Sequence, residues 1–151
     1  MSCEVPEELR LQRFAAYGIV RRNDCVLLVR IGPKSVDDYG KWMLPGGKIE
    51  HGEHPLDTVV REFKEETGYD VGVIRLLDVD AEHRQLSTPL DFHAIFSLYE
   101  VEITGGNLNP AGHGGVEACA WVDIADLPDL PLLTPIRTAL DRFLPHVGSG
   151  T

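Results

Sequence analysis

The chain has 151 residues, 43% of them hydrophobic, and its 24 acidic against 14 basic side chains leave a net charge of −10. That is enough apolar material for one well-formed core and calls for no second one. The negative field argues against a groove that holds nucleic acid by its phosphates, but not against a small phosphorylated ligand accompanied by metal ions.

In chain order, residues 1–13 are polar and acidic and read as a loose N-terminal arm. The start MSCEVPEELR has no basic segment followed by an apolar run, and no stretch approaches a membrane helix in length. The expectation is a cytoplasmic protein with no membrane contact. Residues 14–22 (FAAYGIVRR) read as a first strand and Asn23-Asp24 as a tight turn. Residues 25–31 (CVLLVRI) form a mostly apolar run suited to a strand covered on both faces. A loop follows at 32–40, and Pro45-Gly46-Gly47 then suggests a sharp reversal with close backbone approach to a metal or phosphate.

Further on, 71–79 reads as a strand, 80–91 as a polar segment and 92–103 (FHAIFSLYEVEI) as the longest strand. Residues 104–116 are a glycine-rich loop that lacks the G-x4-G-K-[ST] phosphate-binding pattern. A short strand at 117–123 precedes a segment broken by Pro128 and Pro131. Thr134 is then expected to cap a final helix, with Pro135 in its first turn and Ile136, Leu140, Phe143 and Leu144 on its apolar side. One domain is expected over 14–145, with 146–151 as a flexible tail. Cys3, Cys25 and Cys119 offer no C-x-x-C spacing, so neither a disulfide framework nor a zinc site is expected, and Cys25 and Cys119 read as buried thiols. Periodicity alone predicts a single α+β or α/β domain.

The chemistry concentrates between Gly47 and Tyr69. Pro55 suits a first helical turn, and Gly68 suits the left-handed residue that ends a helix. Leu56, Val59, Val60 and Phe63 recur at helical spacing and predict a buried face. Glu62, Glu65 and Glu66 fall at i, i+3 and i+4, which gathers three carboxylates on a different face. That is unfavourable locally, because like charges repel and anions near a helix C-terminus oppose its dipole. A hard divalent cation such as Mg²⁺ or Mn²⁺, which prefers oxygen ligands, would reverse the balance. Arg61 is a candidate to neutralise or orient one carboxylate, or to hold Glu53.

The spacing around this cluster reads Gly47, Glu53, Arg61-Glu62, Phe63, Glu65-Glu66, Gly68 and Tyr69. Position for position it resembles the signature of the Nudix hydrolase family, G-x5-E-x7-R-E-U-x-E-E-x-G-U, with Phe63 and Tyr69 at the bulky apolar positions. The resemblance implies an α/β/α sandwich with a mixed β-sheet, the signature forming a loop–helix–loop against it. It also implies hydrolysis of a pyrophosphate bond in a nucleoside diphosphate linked to some group X, by water attack on phosphorus with Mg²⁺ or Mn²⁺.

On this resemblance Glu62, Glu65 and Glu66, with the backbone of Gly47, are the expected metal ligands. Glu53, Arg61 and Glu65 are expected in catalysis. The general base is a signature glutamate or a residue on a loop elsewhere, and Glu117, after the glycine-rich loop, is the outside candidate. Glu50 is a further ligand or an ordinary loop residue. Tyr39, His83 and His93 are candidate substrate contacts. Trp42, Phe92 and Tyr99 are aromatic faces that could stack a base or simply pack.

Subfamily marks are weak. A proline about fifteen or sixteen residues beyond the signature accompanies ADP-ribose cleavage in relatives, whereas here the next one is Pro89, twenty positions after Tyr69. A nucleoside triphosphate is therefore the default substrate. The alternatives are a nucleotide-sensing domain that binds without cleaving, an ADP-ribose or nucleotide-sugar hydrolase, or an enzyme acting on RNA 5′ ends, which the acidic charge disfavours. The expected partner is a small nucleotide. A homodimer is possible, since many members of the family dimerise.

Overall fold

The run Cys25–Ile31 forms a strand covered on both faces, and the two cores of the protein lie on either side of it. Its alternation is the reason: Leu27 and Val29 point to one core, Val26 and Leu28 to the other. The computed structural model describes residues 4–148. Cys3 and residues 149–151 of the expected tail lie outside them.

The elements are β1 Arg10–Ile19, β2 Arg21–Arg22, β3 Cys25–Ile31, β4 Trp42–Met43, β5 Gly46–Lys48, α1 Pro55–Thr67, β6 Tyr69–Gln85, β7 Asp91–Gly106, β8 Val116–Asp123 and α2 Thr134–Phe143. The strands form two four-stranded sheets. The first has the order β5-β1-β7-β6 and is mixed, with β1 parallel to β7 and antiparallel to β5. The second joins β2, β3 and β4, with β8 also pairing β3, and is antiparallel throughout. The mixed sheet was expected; the separate antiparallel one was not. On one side Val59 and Phe63 of α1 pack with Ala16, Leu27, Val29 and Val101. On the other, Ile136, Ala139 and Leu140 of α2 pack with Ile19, Val26, Leu28 and Leu98. The result is an α/β/α sandwich. Each fully buried side chain of this size contributes about 1.5–3 kcal/mol. No helix among the described residues is long and apolar enough to cross a membrane.

Several expectations need correction. β1 begins at Arg10 rather than residue 14, because Arg10–Arg13 pair in register with Asp91–Ala94 of β7. The polar segment 80–91 is mostly strand, with β6 running to Gln85 and β7 starting at Asp91. β6 is an edge strand with much of its length in solvent, so polar side chains suit it. The glycine-rich loop is accordingly shorter, 107–115. On α1, Val59 and Phe63 are buried, but Leu56 and Val60 are each 39% exposed. The buried face instead takes in Thr58, Glu66 and Thr67. Thr134 does not cap α2; Leu133 holds the N-cap position, without a side-chain bond, and Thr134 is the first helical residue. Cys119 is buried, whereas Cys25 is half-buried. At the end of the described chain Val147 is buried, and the Gly148 N–H donates to Glu100 Oε2 at 3.0 Å.

Candidate active site

Helix α1 is fixed at both ends by its own sequence. His54 is the N-cap, its Nδ1 accepting from the Leu56 N–H at 3.1 Å, and Pro55 follows in the first turn. Gly68 ends the helix at φ 85°, and its N–H donates to the Lys64 carbonyl at 3.1 Å. A side chain there would also strike the Asn107 carbonyl oxygen.

Within this frame Arg61 joins the acidic residues. Its Nε donates to Glu53 Oε2 at 2.8 Å and its Nη2 to Glu53 Oε1 at 2.9 Å. Its Nη1 donates to Glu62 Oε1 at 3.0 Å and to Glu65 Oε1 at 3.3 Å. Nη2 also reaches the Lys48 carbonyl at 3.3 Å. Glu53 accepts two further bonds, from the Thr58 hydroxyl at 2.7 Å and the Glu50 N–H at 3.1 Å. Its carboxylate is thus occupied on both oxygens, and it holds the Arg61 guanidinium in place. Glu50 stands farther out, 3.9 Å from the guanidinium and largely exposed.

Glu66 lies deeper. It is 4% exposed, and its Oε1 accepts from the Gly46 N–H at 2.9 Å. Gly47 comes next on β5, where a built Cβ would fall 2.7 Å from Glu62 Cδ and 2.8 Å from its Oε1. Only glycine leaves the Glu62 carboxylate that space. Glu65 is the most open of the three, its side chain 46% exposed. The loop 107–115 reaches it: a Cβ on Gly114 would lie 3.8 Å from Glu65 Oε2 and 3.9 Å from Glu66 Cγ.

The electrostatics follow from this packing. Hydrogen bonds from Arg61 and Thr58 hold Glu53 down to about 2, and the same pairing raises Arg61. Burial pushes Glu62 up, with Arg61 opposing and Glu65 reinforcing. Burial pushes Glu66 well above the usual carboxylate range, against the Gly46 N–H and with the help of Glu62 and Glu65. Burial also drives the Cys119 thiol to about 12, which leaves it unreactive.

A cavity of about 350 Å³ opens beside Glu66 and Gly46. Arg13 and Tyr17 of β1, Glu82 and Arg84 of β6, and Phe92 and Phe96 of β7 line its floor. Lys34, Ser35 and Asp38 close one side, and Leu133, Pro135 and Ile136 at the start of α2 close another. Arg84 is committed here: Nη1 donates to Asp38 Oδ1 at 2.9 Å, and Nε lies 3.2 Å from Glu82 Oε1. Its charge and hydrogen bonds hold the Asp38 carboxyl below the usual range against the cost of burial.

The other sequence candidates lie elsewhere. Glu117 is not on the cavity wall; it sits where the β3–β8 register shifts, its Oε1 3.2 Å from Arg30 Nε. His83 and His93 stack edge to face at 5.8 Å and line a separate surface recess with Arg10, Gln12 and Asp91. Tyr39 is 51% exposed in its loop and does not line the cavity. Tyr99 is in the core and Trp42 packs against the α2 side, whereas Phe92 does reach the cavity. No motif in the sequence marks Arg13, Tyr17 or Arg84. The available signal was the strand alternation that puts residues 13 and 17 on one face.

An α/β/α domain whose loop–helix–loop gathers carboxylates at the edge of a cleft defines a class by fold and site together. The family model described as NUDIX domain matches residues 11–147, and the chain belongs to the Nudix family. YjhB of Bacillus subtilis is 37% identical over 142 residues, covering 89% of this chain and 62% of YjhB. An ADP-ribose pyrophosphatase of Methanocaldococcus jannaschii is 35% identical over 120 residues, covering 77% of this chain and 64% of that protein. Of a Caenorhabditis elegans relative, 35% identical over 118 residues, the chain spans only 30%. Among solved structures, the MutT NUDIX hydrolase from Burkholderia pseudomallei superposes with a TM-score of 0.65 at 28% identity, covering 88% of this chain and 98% of that one.

Proposed function

We propose that the protein hydrolyses the pyrophosphate bond of a nucleoside diphosphate linked to a second group, with Mg²⁺ or Mn²⁺. The observation that carries this reading is the contact between Glu66 of the carboxylate cluster and the 350 Å³ cavity. That volume is within the range of about 300–1,000 Å³ typical of small-molecule sites. Its wall combines aromatic faces with charged groups, as a nucleotide requires.

The donor set suits a hard cation. Glu62, Glu65 and Glu66 offer only oxygen, and Gly47 leaves open the space that a Cβ would take from Glu62. Bound there, a divalent ion would screen the phosphate oxygens and lower the proton affinity of water. The chain's own residues do the rest. Arg61, anchored by Glu53, orients Glu62 and Glu65. Glu66 is held by the Gly46 N–H at the boundary between cluster and cavity. Glu65, the most exposed of the three, is the group we assign to accept a proton from attacking water.

ADP-ribose comes first among substrates to try, because a relative at 35% identity is named for that activity. Nucleoside triphosphates come second. The test is a hydrolysis screen over nucleoside di- and triphosphates, dinucleotides and nucleotide sugars, with Mg²⁺ and with Mn²⁺. Release of a nucleoside monophosphate supports the reading. Tight nucleotide binding with no turnover under either metal would replace it by a sensing role.

A further inference from the structure

Arg13 shares a cavity wall with Gly46 and Glu66, on the strand that carries Tyr17 four residues later on the same face. It is exposed, and among the described residues it makes no hydrogen bond or ion pair. An arginine at the start of a strand often has no task beyond solubility. Three observations set this one apart.

Its guanidinium is free where its neighbour is not: Arg84, on the same cavity, is bound to Asp38 and beside Glu82. Its charge acts on both Glu62 and Glu66, so it lies within electrostatic reach of the cluster on the cavity side, while Arg61 serves the side facing Glu53. The setting is also a chain of net charge −10, in which an anionic ligand needs local positive charge. Lys34 lines the cavity too, from the loop after β3.

We propose that Arg13 binds a phosphate of the substrate's diphosphate, as the protein's own countercharge on the cavity wall. This rests on the pyrophosphohydrolase reading. The planar guanidinium presents five donors in a fork that matches two phosphate oxygens, and no internal bond has to break before it engages. Arg13 then selects for substrates charged on the cavity side and contributes to binding equally before and during the reaction. A lysine would keep the charge but lose the fork.

The experiment compares wild type with Arg13→Ala and Arg13→Lys, using ADP-ribose with Mg²⁺ for kinetics and ADP in chelator for calorimetric binding. Arg13→Ala is expected to raise KM about tenfold or more, with kcat within about threefold, and to weaken ADP binding by a similar factor. Arg13→Lys should recover part of both losses, and all three proteins should melt alike because the side chain is exposed. Unchanged KM and unchanged ADP affinity in Arg13→Ala overturn the assignment, as does absence of ADP binding to wild type. Failure of wild type to hydrolyse any nucleotide would strike the pyrophosphohydrolase reading, while the ADP comparison would still decide the role of Arg13.

Discussion

Glu53 and Arg61 are joined by two parallel hydrogen bonds, at 2.8 and 2.9 Å, and the same guanidinium extends to Glu62 and Glu65. The pair is a lever: what happens at Glu53 is felt at carboxylates nine and twelve residues along the chain. Glu53→Gln keeps the shape and removes the charge. With charge-assisted hydrogen bonds contributing about 1.5–3 kcal/mol, it should lower the melting temperature by about 3–10 °C. Turnover should fall at least about tenfold as Arg61 loosens. A variant that melts and turns over like wild type would mean that Arg61 holds its position without Glu53.

The carboxylates also set a pH dependence in the metal-free protein. Burial raises the folded-state pKa of Glu62 and lifts that of Glu66 well above the ordinary carboxylate range. The folded state therefore binds their protons more readily, and stability rises as pH falls from neutral through those raised values. Glu53, held at about 2, works the opposite way. Its contribution is present above the unfolded pKa of about 4.3 and is lost as pH falls from there towards 2. In chelator, the melting temperature should therefore peak in mild acid. Glu66→Gln should flatten the rise between neutral and mild acid. A monotonic decline from pH 8 to pH 4 in wild type would contradict this.

Glu65 and Glu66 separate a site from a surface. Glu66→Gln keeps a carbonyl oxygen to accept from the Gly46 N–H and removes a buried like charge, so the apo protein should be as stable as wild type or more so. Glu65→Gln loses only an exposed pairing with Arg61, a change expected to be within about 1 kcal/mol. Each should lower turnover at least about a hundredfold, or roughly 2.7 kcal/mol of transition-state stabilisation. The measurements are a melt in chelator and a turnover assay at saturating Mg²⁺. Normal turnover with a lower melting temperature in either variant would make that glutamate structural.

Gly47→Ala tests the space beside Glu62. The added methyl would sit 2.7 Å from the Glu62 carboxyl carbon, so either the carboxylate or the β5 backbone must move. The expected cost is about 1–3 kcal/mol of stability with at least about a tenfold loss of turnover. If turnover is retained and Mg²⁺ dependence is unchanged, the position of the Glu62 carboxylate is not critical.

Glu117→Gln tests the outside candidate for general base. Because Glu117 pairs with Arg30 away from the cavity wall, turnover should stay within about threefold of wild type. A loss of a hundredfold, with an altered pH–rate profile, would restore Glu117 to the mechanism.

Helix α1 was legible in the sequence because the features that mark it lie within 23 consecutive residues: first-turn proline, terminal glycine and the i, i+3, i+4 carboxylates. Such features depend on contacts no more than about a turn or two apart, and helical geometry fixes those whatever the rest of the chain does. The apolar run of β3 was legible for a similar reason, since alternating coverage on two faces is written directly in side-chain type. The cavity was decided by tertiary structure. Arg13 belongs to it because β1 pairs in parallel with β7, setting Arg13 opposite Ala94, and Arg84 because β6 pairs with β7, setting it opposite Phe92. Register is fixed by which face of a whole sheet becomes buried, and a slip of one residue would turn each of these side chains to the other side. The same holds for Glu117 and the two histidines: polar residues on strands near plausible loops, whose destinations follow from pairings between distant segments. Local sequence specified the charge cluster; long-range strand pairing decided what it faces.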